Sequence, residues 1–522
     1  MFPVGDLGLE IGDPSRGWII SGKAMHATTV DEAKRIAGGG RSSRVSLFFK
    51  HCSCALALAT MDSLSFVMAA WIFRFGRNES QITILPYAAV LPHGVTLDLF
   101  PILAVLFVLI RALAGNYGRR EPFWDDVRGV IAALFIVAVP DFVLIVLKPA
   151  HFDAAGAAGS WLFLVFSIPL LRQAARMLLA SVGVWQRRTV LIGSGPVAET
   201  AFAAISKSLS LGFDIQWLVP LGDDRQVPAP LSRLKTIVPA NACDVGLLVR
   251  AAGCDRAVLA LGNVEQRGYS ELVQRLCEAN VGTAIVPPLE RLPLGNMTSS
   301  ILFGRNVLLF QVRDNLRRWQ QRLLKRTFDL IGALAGLVLL GPLLAALSLL
   351  VKMEDGGSVT YSQIRIGRDG VPFRCIKLRT MTRDADALLD VWQKENPGLY
   401  REFQKSYKLR DDPRITSVGK WLRRTSLDEL PQLINILLGD MSFVGPRPVV
   451  ERELIDFYGP AAQLYMRVRP GLSGLWQVSG RNNTSYAERI ALDEWYVLNW
   501  SIWYDLIILA QTFGVIISGD GA

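Results

Sequence analysis

Histidine is scarce in this sequence, and its placement excludes several kinds of active site. All four histidines, His26, His51, His93 and His151, precede residue 152 of the 522-residue chain. A Ser-His-Asp triad or a His-Glu-x-x-His zinc site is therefore excluded from the last two-thirds of the chain. The six cysteines show no metal-ligand spacing, and we interpret them as free thiols.

A Tyr-x-x-x-Lys pair is also missing. Membrane-anchored sugar-nucleotide dehydratases and epimerases join apolar spans to a glycine-rich α/β domain, and their chemistry needs such a pair. None of the 11 tyrosines is followed by lysine four positions later. That enzyme class is therefore a weak alternative for this chain. A transferase with many spans is also disfavoured, because too few apolar segments are present.

The composition indicates partial residence in a membrane. Apolar residues make up 51% of the chain, and the mean hydropathy is +0.30. The net charge is +10, of which residues 320–522 carry +3 and the remainder +7. Because the excess lies mostly near the apolar segments, it favours anionic membrane lipid over nucleic acid as a partner.

The first part of the chain reads as a tail followed by a membrane unit. Residues 1–50 are polar and glycine-rich and predict a flexible cytoplasmic tail. Basic residues before and after the apolar segments place both ends of the unit in the cytoplasm. We predict four transmembrane helices within residues 51–182, at 54–73, 96–113, 127–147 and 154–171.

A soluble α/β pattern follows, and we predict a Rossmann-like cytoplasmic domain over residues 186–300. Gly193 and Gly195 open a G-x-G-x-x-A turn typical of dinucleotide sites. The acidic residue at the expected spacing, Asp214, begins the second strand instead of ending it, so we favour a structural or regulatory role. Further strands are predicted at 213–219, 257–261 and 283–287, and a linker at 301–324.

Residues 327–351 form another apolar block, long enough to span a bilayer. Gly341-Pro342 lies in its middle, where proline interrupts a helix. Lys325 and Arg326 precede it and Lys352 follows it, so both ends are expected on the cytoplasmic side. These features predict a re-entrant helix-break-helix hairpin that enters one leaflet and returns.

Two adjacent carboxylates, Asp428 and Glu429, follow a basic run that contains Arg423 and Arg424. Acids beside guanidinium groups suit a site that handles phosphate and a divalent cation. Ser426 and Glu429 also have the S-x-x-E spacing of a helix capping box, which alone would explain both residues.

Arginines and lysines placed between glycines and prolines surround this acidic pair. Such rigid turns are suited to holding a diphosphate, and pairing with the domain's own carboxylates is the alternative for several of these cations. The predicted phosphate-binding residues are Arg365, Lys377, Arg379, Arg414, Arg423, Arg424, Arg447, Arg469 and Arg481.

Aromatic residues recur at helical spacing near the end of the chain. Tyr496, Trp500, Trp503 and Tyr504 suit a helix in the membrane interface, and they suit core packing equally well.

Residues 325–522 resemble the catalytic domain of the monotopic phosphoglycosyl transferases, the polyprenyl-phosphate hexose-1-phosphate transferases. The motifs that carry the resemblance are Lys-Arg-x-Phe-Asp at 325–329, the acidic pair, Gly-Pro-Arg-Pro at 445–448 and the run from Arg469 to Arg481. With its N-terminal spans and middle domain, the whole chain resembles the large form of that family. The resemblance implies a mainly α-helical catalytic domain.

The resemblance also implies a reaction. Asp428 would be the nucleophile on a UDP-hexose, releasing UMP, and Glu429 with Asp428 would hold Mg²⁺. Undecaprenyl phosphate would accept the hexose-1-phosphate, which begins exopolysaccharide, capsule or O-antigen repeat units. The likeness favours galactose, with glucose as the alternative, in a homodimer at the cytoplasmic face of the bacterial inner membrane. A non-enzymatic assembly scaffold is a further alternative.

Overall fold

The structure is a computed structural model. The residues it describes are 44–75, 88–90, 96–147, 154–220, 229–239, 245–260, 269–287, 295, 297–302, 307–312, 314–383, 385, 412, 414–480 and 484–518. The chain forms two compact units, Met1–Leu289 and Glu290–Ala522. Most of the predicted tail lies outside the described residues, but residues 44–50 already belong to the first helix.

Four helices build the apolar part of the first unit. Phe66, Phe107, Val130 and Leu164, one from each helix, pack in a single buried cluster. A short strand pair, β1 (Ala88–Val90) and β2 (Thr96–Asp98), precedes the second helix. The helices are α1 (Arg44–Ala70), α2 (Leu99–Leu113), α3 (Phe123–Leu147) and α4 (Ala154–Ser181).

Three helices among the described residues are long and apolar enough to cross a membrane: Cys52–Phe73, Ala155–Ser181 and Trp319–Asp355. Two of the four predicted N-terminal spans are therefore matched by such helices. The segment predicted at 96–113 forms a shorter apolar helix, Leu99–Leu113, of 15 residues. Four N-terminal spans thus stay a prediction.

Several charged side chains inside this bundle are paired with one another. Asp126 contacts Arg111, Arg172 and Arg176 at 2.5 to 3.1 Å. Asp62 accepts hydrogen bonds from Arg172 at 2.9 Å and from the Tyr117 hydroxyl at 2.7 Å. Carboxylates of this kind are tolerated in apolar surroundings because each has several donors.

A parallel five-stranded sheet completes the first unit, with strand order β5-β4-β3-β6-β7. Alternate residues of the central strand point to opposite faces, so Val190 and Ile192 join one core and Leu191 joins the other. Helices cover both faces: α5 (Pro196–Ser206) on one, α6 (Val245–Ala251) and α7 (Tyr269–Glu278) on the other. The strands are β3 (Arg187–Ile192), β4 (Phe213–Val219), β5 (Lys235–Thr236), β6 (Arg256–Leu259) and β7 (Gly282–Ile285).

The glycine-rich turn lies where the sequence predicts it. Gly193 follows β3 with a φ of +126°, and Gly195 immediately precedes α5. Asp214 pairs with Arg188 near the start of β3, whereas Gly193 lies past its end. Asp214 therefore lies at the beginning of the parallel strands, whereas the glycine-rich turn lies at their end. At that distance its carboxylate cannot contact a dinucleotide bound at the turn. A cofactor role for Gly193 and Gly195 has no support from this arrangement.

One long helix, α8 (Trp319–Asp355), dominates the second unit and contains 37 residues. The sequence predicts a break at Gly341-Pro342, but the helix continues through both residues. Proline removes only one backbone donor, and continuing the helix keeps the remaining backbone groups of an apolar segment hydrogen-bonded. The predicted helix-break-helix is therefore corrected to one helix with Pro342 inside it, and its re-entrant course stays a prediction.

Shorter elements pack beside α8. The predicted linker contains part of the hairpin of β8 (Met297–Leu302) and β9 (Val307–Val312). Other pairs are antiparallel β10 (Thr360–Ile366) with β11 (Pro372–Leu378) and parallel β12 (Ser442–Val444) with β13 (Gly471–Ser473). The remaining helices of seven or more residues in this unit are α9 (Ser417–Thr425), α10 (Gln432–Leu438), α11 (Tyr486–Asn499) and α12 (Ile502–Ser518).

Candidate active site

The acidic pair lies in a tight turn between two helices. The Thr416 hydroxyl caps the start of α9 by accepting from the Gly419 amide at 3.0 Å. A Cβ at Gly419 would meet the Thr380 carbonyl oxygen, so glycine allows α9 to approach the segment that follows β11 closely. The helix ends at Ser426, whose φ is +56°, and a 3₁₀ turn at Leu427–Glu429 then presents both carboxylates.

The alternative of a helix capping box is not realised. The Ser426 side chain makes no capping hydrogen bond. The Glu429 carboxylate instead lies 2.5 Å from the Lys377 amine, which projects from β11. A capping box needs both side chains to bond the backbone of the first turn, so another reason is needed for these residues.

Asp428 is buried, with 9% of its surface exposed. Burial and the adjacent Glu429 raise the pKa of its carboxyl to about 6, against the opposing charges of Lys377 and Arg423. A carboxyl with this pKa is about nine-tenths ionised at pH 7. Asp428 is therefore a partly desolvated carboxylate with cations close by, as a nucleophile requires.

Three of the predicted cations surround the pair. Lys377 contacts Glu429, and Arg423 lies close enough to Asp428 to lower its pKa. Burial lowers the pKa of Arg447, and the charge of Glu429 opposes that shift. Arg365 lies next to Arg447 and donates to the Pro448 carbonyl oxygen at 3.2 Å.

The other predicted cations are engaged away from the pair or lie outside the described residues. Arg379 pairs with Asp355, and Arg414 pairs with Asp412 at 2.6 Å. Arg469 donates to the Gly439 carbonyl oxygen at 2.6 Å and lines a small cleft that neither Asp428 nor Glu429 borders. Arg424 is exposed on α9, and Arg481 lies outside the described residues. As phosphate ligands these five residues stay predictions.

Sequence reasoning missed several residues of this neighbourhood. Glu453 lies 3.5 Å from Arg365 and accepts from the Tyr486 hydroxyl. Arg489 stacks on Trp476, the ring that Arg447 also approaches. Asp493 is buried beside both arginines, and burial raises its pKa to about 7. Arg489 and Asp493 fall on an ordinary amphipathic helix with no motif, so no sequence signal marked them.

The acidic pair fits a weakly held Mg²⁺. No cluster of three His, Cys, Asp or Glu side chains occurs among the residues that the structure describes. Mg²⁺ is commonly bound by one or two carboxylates together with substrate phosphates and waters. Asp428 and Glu429 provide such a pair, and the substrate would complete the ligand set.

Comparison with known proteins identifies the family of the chain. Residues 320–519 match the family model described as bacterial sugar transferase. The chain is 33% identical to the undecaprenyl-phosphate galactose phosphotransferase of Salmonella typhimurium, over 90% of this chain and 97% of that protein. It is 35% identical to the UDP-galactose-lipid carrier transferase of Erwinia amylovora, over 78% of this chain and 84% of that one.

A third relative covers less of the chain. The UDP-glucose:undecaprenyl-phosphate glucose-1-phosphate transferase of Escherichia coli is 34% identical over 50% of this chain and 54% of its own length. The alignment to the Salmonella protein, in contrast, spans both compact units. The chain therefore belongs to the bacterial sugar transferase family, the polyprenyl-phosphate hexose-1-phosphate transferases.

Proposed function

We propose that this protein transfers hexose-1-phosphate from a UDP-hexose to undecaprenyl phosphate and releases UMP. Asp428 carries the proposal: a largely ionised, buried carboxylate in a rigid turn, with Lys377 and Arg423 close by. The product would begin a repeat unit of exopolysaccharide, capsule or O-antigen. The names of the Salmonella and Erwinia relatives support a lipid acceptor, and the Salmonella name specifies undecaprenyl phosphate.

The reaction proceeds in two displacements at one phosphorus. An oxygen of Asp428 attacks the phosphorus that carries the sugar, and the bond to the bridging oxygen breaks, so UMP leaves with the electron pair. A phosphate oxygen of the lipid then attacks the same phosphorus and expels the Asp428 carboxylate. Neither step needs a proton transfer, which agrees with a site without histidine.

The cations around the pair stabilise negative charge during both steps. Lys377, Arg423 and Arg447 compensate the charge on the phosphoryl oxygens. Asp428 and Glu429 would hold Mg²⁺, which when bound supplies further positive charge to these oxygens. The Lys377 amine already donates a hydrogen bond to the Glu429 carboxylate, so we expect this contact to weaken when Mg²⁺ binds.

The surface of α8 supports attachment to one leaflet. Ala333 packs with Leu433 before Pro342, and Leu347 packs with Leu422 after it, so both halves contact the same compact unit. The opposite side is apolar and exposed, with Ile331, Val338 and Leu339 between 65% and 78% accessible. A helix packed along its length on a globular unit suits re-entrant or in-plane insertion better than a full crossing.

This membrane attachment, with the positive flanks of the N-terminal helices, supports a catalytic unit at the cytoplasmic face of the inner membrane, where UDP-sugars occur. The first unit would then supply a multi-pass anchor and a Rossmann-like domain without an assigned ligand. A homodimer is proposed from the family resemblance alone.

UMP release by membranes that contain the protein tests this function. The membranes receive Mg²⁺, undecaprenyl phosphate and either UDP-galactose or UDP-glucose. We expect lipid-dependent and Mg²⁺-dependent release, faster with UDP-galactose, because the relatives aligned over most of the chain are named for galactose. Faster release with UDP-glucose would assign the alternative sugar, and no release with either would contradict the proposed donor class.

A further inference from the structure

The guanidinium group of Arg489 is held between two aromatic rings. Its central carbon lies 4.8 Å from the centre of the Trp476 ring and 5.0 Å from that of Tyr486. Arg489 follows closely after the start of α11, which has a complete capping box formed by Ser485 and Glu488. A capped helix and two stacked rings fix the direction of this side chain.

Two nitrogen atoms of Arg489 lack an acceptor. Its Nε and one terminal nitrogen, Nη2, are buried, and neither finds a hydrogen-bond partner among the residues that the structure describes. Buried donors in folded proteins are nearly always satisfied, so such donors indicate a ligand or a water that completes the site. Paired donors of a guanidinium match the geometry of a phosphate group.

The position of Arg489 relative to the acidic pair follows from shared neighbours. Arg423 and Lys377 act on Asp428, whereas Arg447 acts on Glu429. Arg447 also approaches the Trp476 ring, at 5.4 Å, and its pKa, which burial lowers most, is lowered further by the charge of Arg489. Arg447 and Arg489 therefore share the Trp476 ring, and the charge of Glu429, the neighbour of the nucleophile, acts on Arg447.

One acid that the charges of both arginines act on is Asp493, on the same helix as Arg489. Asp493 accepts a hydrogen bond from the Tyr458 hydroxyl at 2.8 Å, and burial raises its pKa to about 7. It is therefore only about half ionised at neutral pH. The charges of Glu429 and Glu453 also act on Arg447, so the feature that favours an additional anion is the pair of buried Arg489 donors without an acceptor among the described residues.

We propose that Arg489 and Arg447 form a subsite for the α-phosphate of the nucleotide sugar. This phosphate becomes the phosphate of the UMP that leaves. The phosphate attacked by Asp428 lies among Lys377, Arg423 and Glu429, and the next phosphate of the diphosphate would extend toward Arg447 and Arg489. This subsite rests on the proposed function. It gives Arg489 a role in binding the donor and retaining UMP, without contact with the lipid acceptor.

Steady-state kinetics of Arg489→Gln and Arg489→Lys test the subsite. We expect Arg489→Gln to raise the KM for the UDP-sugar and the inhibition constant of UMP about tenfold each, with the KM for undecaprenyl phosphate unchanged. Arg489→Lys should recover part of the loss. Arg317→Gln is the matched control, because that side chain is 86% exposed and contacts only Asp314 at 3.4 Å in the described structure.

Other outcomes overturn the assignment. A higher KM for the lipid with unchanged KM for the UDP-sugar would mean that Arg489 binds the acceptor phosphate. Unchanged constants for both substrates would mean that its donors are satisfied by water. If Arg489→Gln fails to fold, as judged by its thermal unfolding, the same comparison is made with Arg489→Lys.

A binding measurement without turnover tests the phosphate subsite independently of the proposed transferase reaction. UMP is added to the wild-type protein and to Arg489→Gln, and the shift in unfolding temperature is recorded without turnover. Stabilisation of the wild type alone would support the subsite even if no UDP-sugar is consumed. Equal stabilisation of both proteins would overturn the subsite even if UMP release is observed.

Discussion

Replacement of Asp428 by asparagine is expected to reduce lipid-dependent UMP release at least about a thousandfold. Asparagine has nearly the same shape as aspartate and fits the 3₁₀ turn, but its amide cannot attack phosphorus. The variant is compared with the wild type in the same UMP assay, with the donor and the lipid both saturating.

Stability provides the control for this variant. Burial and Glu429 raise the pKa of Asp428 to about 6, so its ionisation opposes folding, increasingly as the pH rises from about 4 to 6. A neutral asparagine removes that penalty, and we expect the unfolding temperature at pH 8 to be equal or higher. An inactive variant with unchanged stability identifies a functional group. Full activity in Asp428→Asn would instead support the scaffold alternative.

Glu429→Gln is expected to lower the rate of UMP release about a hundredfold and to raise the Mg²⁺ concentration that gives half-maximal rate. Glutamine removes the charge that would help hold Mg²⁺ and also breaks the contact with Lys377. The measurement is UMP release as a function of Mg²⁺ concentration.

Glu451→Gln is the matched control for Glu429→Gln, because Glu451 is an exposed glutamate of the same compact unit. We expect its rate and Mg²⁺ dependence to equal those of the wild type. A Glu429→Gln variant with wild-type rate and wild-type Mg²⁺ dependence would exclude Glu429 as a metal ligand.

The parallel sheet was largely predictable from the sequence. The strand predicted at 213–219 is present as Phe213–Val219, and those predicted at 257–261 and 283–287 are present within one or two residues, as Arg256–Leu259 and Gly282–Ile285. Apolar runs between glycine-rich turns mark strands buried on both faces, and this signal is local to each segment.

The course of α8 was not predictable in the same way. Pro342 predicts a break because proline cannot donate to the helix, yet the helix continues through it. What decides the outcome is the surrounding packing, since Ala333 and Val351, on either side of Pro342, are both buried in the same unit. That packing is set by residues distant in sequence.

The arginines show the same limit of sequence reasoning. The motif density around the acidic pair marks Lys377, which contacts Glu429, and Arg447, on which the charge of Glu429 acts; their phosphate binding stays a prediction. It marks Arg414 equally, although that residue pairs with Asp412. Partners of a long cationic side chain are chosen by tertiary neighbours, so spacing alone cannot separate a ligand from an internal ion pair. Arg489 was missed because no motif surrounds it in the sequence, and only the folded chain brings it beside Trp476 and Tyr486.

Two of the aromatic residues near the end of the chain pack in the protein core. Tyr496 and Trp500 are buried, and the Tyr496 hydroxyl donates to Asp505 at 2.8 Å. The helix α11 ends at Asn499 and α12 begins at Ile502, so the aromatic spacing does not run along one helix. Periodicity could not show this interruption, because no proline or glycine marks it.

The central claim is a covalent intermediate on Asp428, and a single-turnover experiment tests it most directly. The wild-type protein is mixed with Mg²⁺ and UDP-galactose in the absence of lipid, and both UMP and the mass of the peptide containing Asp428 are measured. If Asp428 forms the covalent intermediate, we expect a burst of about one UMP for each active site and a peptide heavier by one hexose phosphate. No burst without lipid, together with rapid UMP release once undecaprenyl phosphate is added, would contradict it and indicate direct transfer.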